Sequence, residues 1–215
     1  MYTRKMPITT FLIDLDDTIY PPSSGIWSLI GKRIDLFIQN HLQVEWNEIP
    51  ALRQNLFNNY GTTMRGLVLN YHIDAEEYLK FVHDVPVEDL ISPDPRINSI
   101  LAEFSQLKVI FTNSDERHAL RVLRAMNLEK FFAGIIDIHQ ISPFCKPQPE
   151  AYRLALKILG ECSPEEILVI DDSPPNLVTA SSLGFHTVLV GLKATQPGIE
   201  NVIPSIIDLG KIIAT

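Results

Sequence analysis

Cysteine is scarce in this 215-residue chain. Cys145 and Cys162 are the only two, they are not in CxxC spacing, and no histidine cluster accompanies them. That pattern indicates neither a disulfide framework nor a zinc site, and leaves reduced structural thiols as the reading. Basic clusters are also missing. The 18 Lys and Arg against 26 Asp and Glu give a formal charge of −8, so neither a nucleic-acid polymer nor an anionic membrane is expected as a partner. No apolar run approaches the roughly 18 residues of a spanning helix, and the opening MYTRKMPITTFLID meets aspartates before a signal-peptide core could form. The expected location is the cytoplasm. There is no internal repeat and no low-complexity tract.

What the chain does have is alternation. Short β-like runs, ITTFLI, LKVIFT (107–112), GIIDI (134–138), EILVID (166–171) and HTVLV (186–190), are separated by helical stripes. Ala119, Val122, Leu123 and Met126 share one helical face, as do Ala151, Leu154, Ala155 and Ile158. Near-continuous apolar strands alternating with helices predict an α/β fold with a parallel sheet covered on both faces. From about Tyr20 to Ser92 no strand is convincing, only stripes such as Ile26, Leu29, Ile30, Ile34, Phe37 and Ile38. A structureless loop of that length is rare in a compact domain, so an inserted helical subdomain is expected. It would be a cap hinged over the ligand edge of the sheet.

Ligands of such sheets bind outside the carboxyl ends of the strands. The first strand ends there in Asp14, Asp16 and Asp17, three carboxylates in four positions. A calcium loop is ruled out, because its sixth position is Ile19 instead of Gly and its twelfth is Gly25 instead of Glu. Taken alone, the cluster fits turn chemistry as well as a site. Other strand ends are polar too: Thr112, Asn113 and Ser114 after VIF, Asp171 and Asp172 after ILVI, and Lys146 just before a helix that starts at Pro149 and Glu150. Each has an ordinary account as a helix cap or a solvated lysine. Four such clusters at one edge of one sheet favour a shared chemistry.

Phosphoryl transfer through an aspartyl intermediate suits them. A carboxylate approaching a phosphate dianion meets two like charges, which at about 4 Å and an effective dielectric of about 20 oppose it by roughly 8 kcal/mol. A divalent cation offsets that, and Mg2+ with its preference for oxygen ligands explains the acidic edge. Lys146 would add fixed positive charge, while Thr112 and the Asn113 amide could bond phosphoryl oxygens.

In this order, D-x-D-x-T, hydrophobic-T-N, K-P and D-D resemble the haloacid dehalogenase superfamily of Mg-dependent phosphohydrolases over nearly the whole chain. The resemblance implies a Rossmann-like, doubly wound core made of residues 1–19 and 93–215, with an α-helical cap at 20–92. It implies Asp14 as nucleophile and Asp16 as the acid that protonates the leaving group and then activates water. Thr112 and Lys146 would hold the phosphoryl group and Thr18 would buttress the loop. The metal would be bound by Asp14, the Asp16 carbonyl, Asp172, and Asp171 directly or through water. Asn176 departs from the pattern, since many relatives carry an acid there. The acid at Asp16 argues for phosphate over halide chemistry. The stretches YGTTMRGL, DAEEYLKFVHD and FTNSDERHA look like the pyrimidine 5′-nucleotidase branch, with Arg65 and His83 as implied substrate contacts. A small-molecule phosphomonoester is the expected substrate, and a monomer or homodimer the expected assembly. A sugar-phosphate or phosphoglycolate phosphatase, a phosphomutase and a non-catalytic interaction module are the alternatives.

Overall fold

The computed structural model describes residues 7–160, 162–191 and 197–212. Strand β1 (Thr10–Ile13) is followed by six helices: α1 (Ile26–Leu42), α2 (Ile49–Tyr60), α3 (Thr63–Tyr71), α4 (Ala75–Val82), α5 (Val87–Leu90) and α6 (Pro95–Glu103). Then come β2 (Leu107–Phe111), α7 (Glu116–Ala125), β3 (Gly134–Ile136), α8 (Pro149–Leu159), β4 (Ile167–Asp171), α9 (Pro174–Ser182), β5 (His186–Val190) and β6 (Asn201–Ile203). All strands pair in parallel in the order β3-β2-β1-β4-β5-β6. Successive strand residues point to opposite faces, yet every residue of β1 and β4 is buried. Both faces of the sheet are therefore covered, which is why these strands read as continuous apolar runs.

Register places the polar strand ends level with one another. Ile13 pairs with Ile110 on one side and Ile170 on the other. Asp14, Phe111 and Asp171 consequently stand side by side at the carboxyl edge. The strand order reverses around β1, the position where open α/β sheets form their crevice.

Between β1 and β2 there is no strand. Helix α1 packs on α2 and α4, and α3 packs on the same two. The stripe expected on α1 is the buried one: Ile26, Ile30, Ile34, Phe37 and Ile38. Helix α5 instead packs on α7. Side-chain caps fix several starts, with Thr62 accepting from Arg65 N, Asp74 from Glu77 N and Asp115 from His118 N.

One expectation needs correcting, and one element is additional. Helix α8 buries Ala151, Tyr152 and Ala155, while Ile158 is exposed, because the helix is rotated to bring the Tyr152 ring into the core beside Phe111 and Phe185. The edge strand β6 was not foreseen. No helix among the described residues is long and apolar enough to cross a membrane.

Candidate active site

Asp14 leaves β1 with its N–H bonded to Ile170 O at 2.8 Å. The loop then turns, with Asp17 at a φ of 61° and Ile19 N returning to Leu15 O. The aliphatic Leu15 between the two acids is fully buried. This anchors the loop and lets Asp14 and Asp16 take different surroundings.

Asp14 faces Lys146. The Lys146 Nζ donates to Asp14 Oδ1 at 2.8 Å and to Asp171 Oδ2 at 2.7 Å, while Thr18 Oγ1 donates to Asp14 Oδ2 at 2.9 Å. Burial lifts the Asp14 carboxyl well above the usual carboxylate range, and the charges of Asp171 and Asp172 add to this against the pull of Lys146. Burial works against the Lys146 charge, but Asp14 and Asp171 outweigh it and hold the ammonium above its ordinary value. One ammonium thus serves a cluster of carboxylates. Oxygens of Asp14, Asp171 and Asp172 lie within 4.8 Å of one another. This all-oxygen donor set, carrying more negative charge than Lys146 neutralises, fits a hard divalent cation.

Asp171 is fully buried and both its oxygens are engaged. Oδ1 accepts from Ser173 N and Asn176 Nδ2, and Oδ2 from Lys146 and the same Asn176 amide. Asn176 is thus a donor where an acid would repel. Asp172 is partly exposed and lines the main cavity.

Asp16 lines the same cavity but has its own set of partners. Its Oδ1 accepts from Tyr20 Oη and from His118 Nε2 at 2.8 Å, and its Oδ2 from Ser114 Oγ at 2.7 Å. Burial alone would raise its pKa, but His118, Tyr20 and Ser114 outweigh burial and hold it far below the ordinary value. Neither Tyr20 nor His118 was singled out in the sequence. The available signal was a histidine on the first turn of α7 beside its apolar face. His118 is 1% exposed there.

The remaining candidates divide. Thr112 is buried, with its hydroxyl accepting from Ser114 N. The Asn113 amide, expected on a phosphoryl oxygen, is used at both ends on the Lys146 backbone, donating to its carbonyl and accepting from its N–H. It pins the Lys146 loop to the end of β2. Arg65 does not line the cavity. Its guanidinium is drawn to the carbonyls of Pro143 and Tyr60. His83 does line it, stacked on His118 with centroids 4.4 Å apart.

The cavity above these groups has a volume of about 1160 Å³ and runs from Asp14, Thr112 and Lys146 to α1 and α2 of the helical segment. Among the residues that line it, Trp27 and Phe57 are 48% and 50% exposed. Arg53, also in the lining, is already paired with Asp35 at 2.8 Å.

The family model for a haloacid dehalogenase-like hydrolase matches residues 8–184. The chain is similar to "Phosphate metabolism protein 8" of Saccharomyces cerevisiae, at 28% identity over 207 residues, spanning 90% of this chain but only 64% of the yeast protein. It is similar to a "Phosphorylated carbohydrates phosphatase" of Thermotoga maritima, at 31% identity over 53% of this chain and 54% of that one. Among solved structures it shares its fold with the putative HAD-hydrolase YfnB of Bacillus subtilis, determined bound to magnesium, with a TM-score of 0.64 and 19% identity over 96% and 99% of the two chains. A match across most of the chain, on a parallel sheet with the acids at its carboxyl edge, establishes that this protein belongs to the haloacid dehalogenase-like hydrolase family.

Proposed function

We propose that the protein is a Mg2+-dependent phosphomonoester hydrolase working through an aspartyl phosphate, with nucleoside 5′-monophosphates, pyrimidine ones foremost, as substrates. The carrying observation is the single cavity that joins the Asp14–Lys146 pair to a wall with two half-exposed aromatic rings. A phosphate suits the charged groups of that lining, and a planar base suits the aromatic ones. Residues 20–92 act as the cap, and the cavity suits a small metabolite rather than a polymer.

Lys146 and Thr18 hold the Asp14 carboxylate so that one oxygen can attack phosphorus. The bond from Asp14 to phosphorus forms as the bond to the leaving oxygen breaks, and that oxygen takes a proton from Asp16. Asp16 then takes a proton from water, whose oxygen attacks the aspartyl phosphate, releasing phosphate and restoring Asp14. The three donors around Asp16 favour its ionised form before substrate binds, the form needed for this second half. The first half needs the protonated form, which the like charge of a phosphate dianion bound beside it favours. The proton taken from water is the one given to the next leaving oxygen. Thr112 and Lys146 contact the phosphoryl oxygens. Mg2+ would be held by Asp14, Asp172 and the Asp16 carbonyl, with Asp171 behind them, and supplies positive charge against the phosphate dianion.

The likeness to a carbohydrate phosphatase favours a second reading, hydrolysis of sugar phosphates. Phosphate release measured over nucleotides, hexose phosphates and phosphoglycolate, with Mg2+ and with excess chelator, separates the two. UMP and CMP should exceed sugar phosphates in kcat/KM by at least about tenfold, roughly 1.4 kcal/mol of transition-state binding. Hexose phosphates or phosphoglycolate beating every nucleotide would overturn the nucleotide reading. Full turnover with metal verified as absent would overturn the metal-dependent mechanism.

A further inference from the structure

The helical segment reaches the second aspartate through a pair of stacked histidines. His83 follows α4, and its ring lies on that of His118, from α7, at 4.4 Å and an interplanar angle of 14°. Both side chains are buried, and the ring edge of His118 donates from Nε2 to Asp16 Oδ1. The junction is clamped from the same helix. Arg121, one turn beyond His118, donates to the carbonyls of His83 and Val85 and pairs with Glu88. The ring of His118 therefore cannot tilt without disturbing the segment that carries His83, and Asp16 loses a donor if it does.

We propose that His118 is the positioning residue for Asp16, and that His83, stacked on it from the helical segment, fixes the His118 ring in the orientation that aims the carboxyl at the leaving oxygen. His118 touches neither phosphorus nor leaving group in this role. Its effect is on one event, the handing of a proton to the departing oxygen from Asp16, which takes up that proton when the phosphate dianion is bound beside it. That event matters most when the leaving group is a strongly basic alkoxide and least when it is an acidic phenol. Since general acid catalysis is worth roughly 10²–10⁴-fold, a misaimed Asp16 should be visible as selective loss on alkyl esters.

The inference rests on the proposed role of Asp16, and its test keeps the two apart. The readout is the ratio of kcat/KM for a small alkyl phosphate to that for p-nitrophenyl phosphate, compared between parent and variant so that any contact of the phenyl ring with the aromatic wall cancels. His118→Phe keeps a ring against His83 but removes the donor. It is expected to lower the ratio by about tenfold or more, within the range of general acid catalysis. His118→Gln, whose amide N–H can stand in for Nε2–H, should restore most of it. An unchanged or raised ratio in His118→Phe, or equal losses on both esters in it and in the Gln variant, overturns the proposal and leaves His118 a packing residue. Asp16→Asn is the control: if it too leaves the ratio unchanged, the assignment of Asp16 as acid fails instead. Should His118→Phe not fold, the ratio is read in His83→Ala, where a shift of a few-fold in the same direction is expected and no shift overturns the proposal.

Discussion

The ammonium of Lys146 lies 2.8 Å from Asp14 Oδ1, and the same nitrogen reaches Asp171 at 2.7 Å. One buried cation thus separates two buried carboxylates contributed by neighbouring strands, and its removal would leave them facing each other. Lys146→Met should abolish turnover. It should also destabilise the metal-free protein by about 3–5 kcal/mol, the usual penalty for stranding a buried charge. Because the donor set fits a divalent cation, millimolar Mg2+ should recover part of that loss. Thermal unfolding with and without Mg2+ checks this, and an unchanged melting temperature in the metal-free variant would contradict it.

Asn176 allows a finer test of the same cluster. Its amide donates to both oxygens of Asp171 at 3.0 Å. Asn176→Asp replaces that donor with a like charge, so the metal-free fold should lose about 1–3 kcal/mol, the penalty of an unsatisfied buried polar group. Divalent-cation affinity should rise with the added negative charge. Denaturant unfolding and a metal titration by calorimetry read the two effects. A variant as stable as the parent without metal would show that the Asn176 bonds contribute nothing.

The core was legible because its signal is local. A strand buried on both faces must be apolar at every position, as Phe11, Leu12 and Ile13 are, and the polar residues that end such strands stand out against them. Strand β6 has only three residues, two of them half-buried, so it carries no comparable pattern. In the site, Asp14 and Lys146 were readable from residue type and order. What Asn113, Arg65 and His118 do was not, since each is decided by a partner far away in sequence: the Lys146 backbone, the Pro143 carbonyl and Asp16. An amide next to a threonine expected to hold phosphate looks like a ligand group until the neighbouring loop is seen to occupy it.

Asp115 carries a pH prediction at a distance from the acidic cluster. It caps α7 by accepting from His118 N at 2.7 Å, and its second oxygen lies 3.4 Å from His83 Nδ1. Burial pushes His83 down, so the imidazole is neutral at pH 7 and the approach is no ion pair there. Burial would raise Asp115, but the contact with His83 and the capped N–H bring it down to about 2. A folded pKa below the unfolded value means stability that is present above pH 4 and lost as pH falls from about 4 toward 2. Asp115→Ala should therefore cost about 1–2 kcal/mol near neutrality as a lost cap. The gap between the parent and Asp115→Asn, which keeps a capping oxygen without the charge, should narrow between pH 5 and pH 3. Urea unfolding across that range measures it, and a gap that widens on acidification would reverse the assigned sign.

The aromatic wall bears on substrate choice. Trp27 on α1 and Phe57 on α2 are each about half exposed, yet both line the cavity that ends at Asp14, and Gln54 and Asn58 stand on the same side. Large rings left open beside amides suit a planar, hydrogen-bonding leaving group. They would meet the leaving group and not the phosphoryl centre, so their contacts should be equal in the ground and transition states. Stacking of this kind is worth roughly 0.5–1.5 kcal/mol, which corresponds to about two- to tenfold in KM. Trp27→Ala and Phe57→Ala should each raise KM for UMP by that factor with little change in kcat, and leave both parameters for a small alkyl phosphate unaltered. Because both rings are exposed, neither substitution should disturb folding. Equal changes on the two substrates would show that the wall shapes the cap alone, and an unchanged KM for UMP would remove the aromatic pair from substrate recognition.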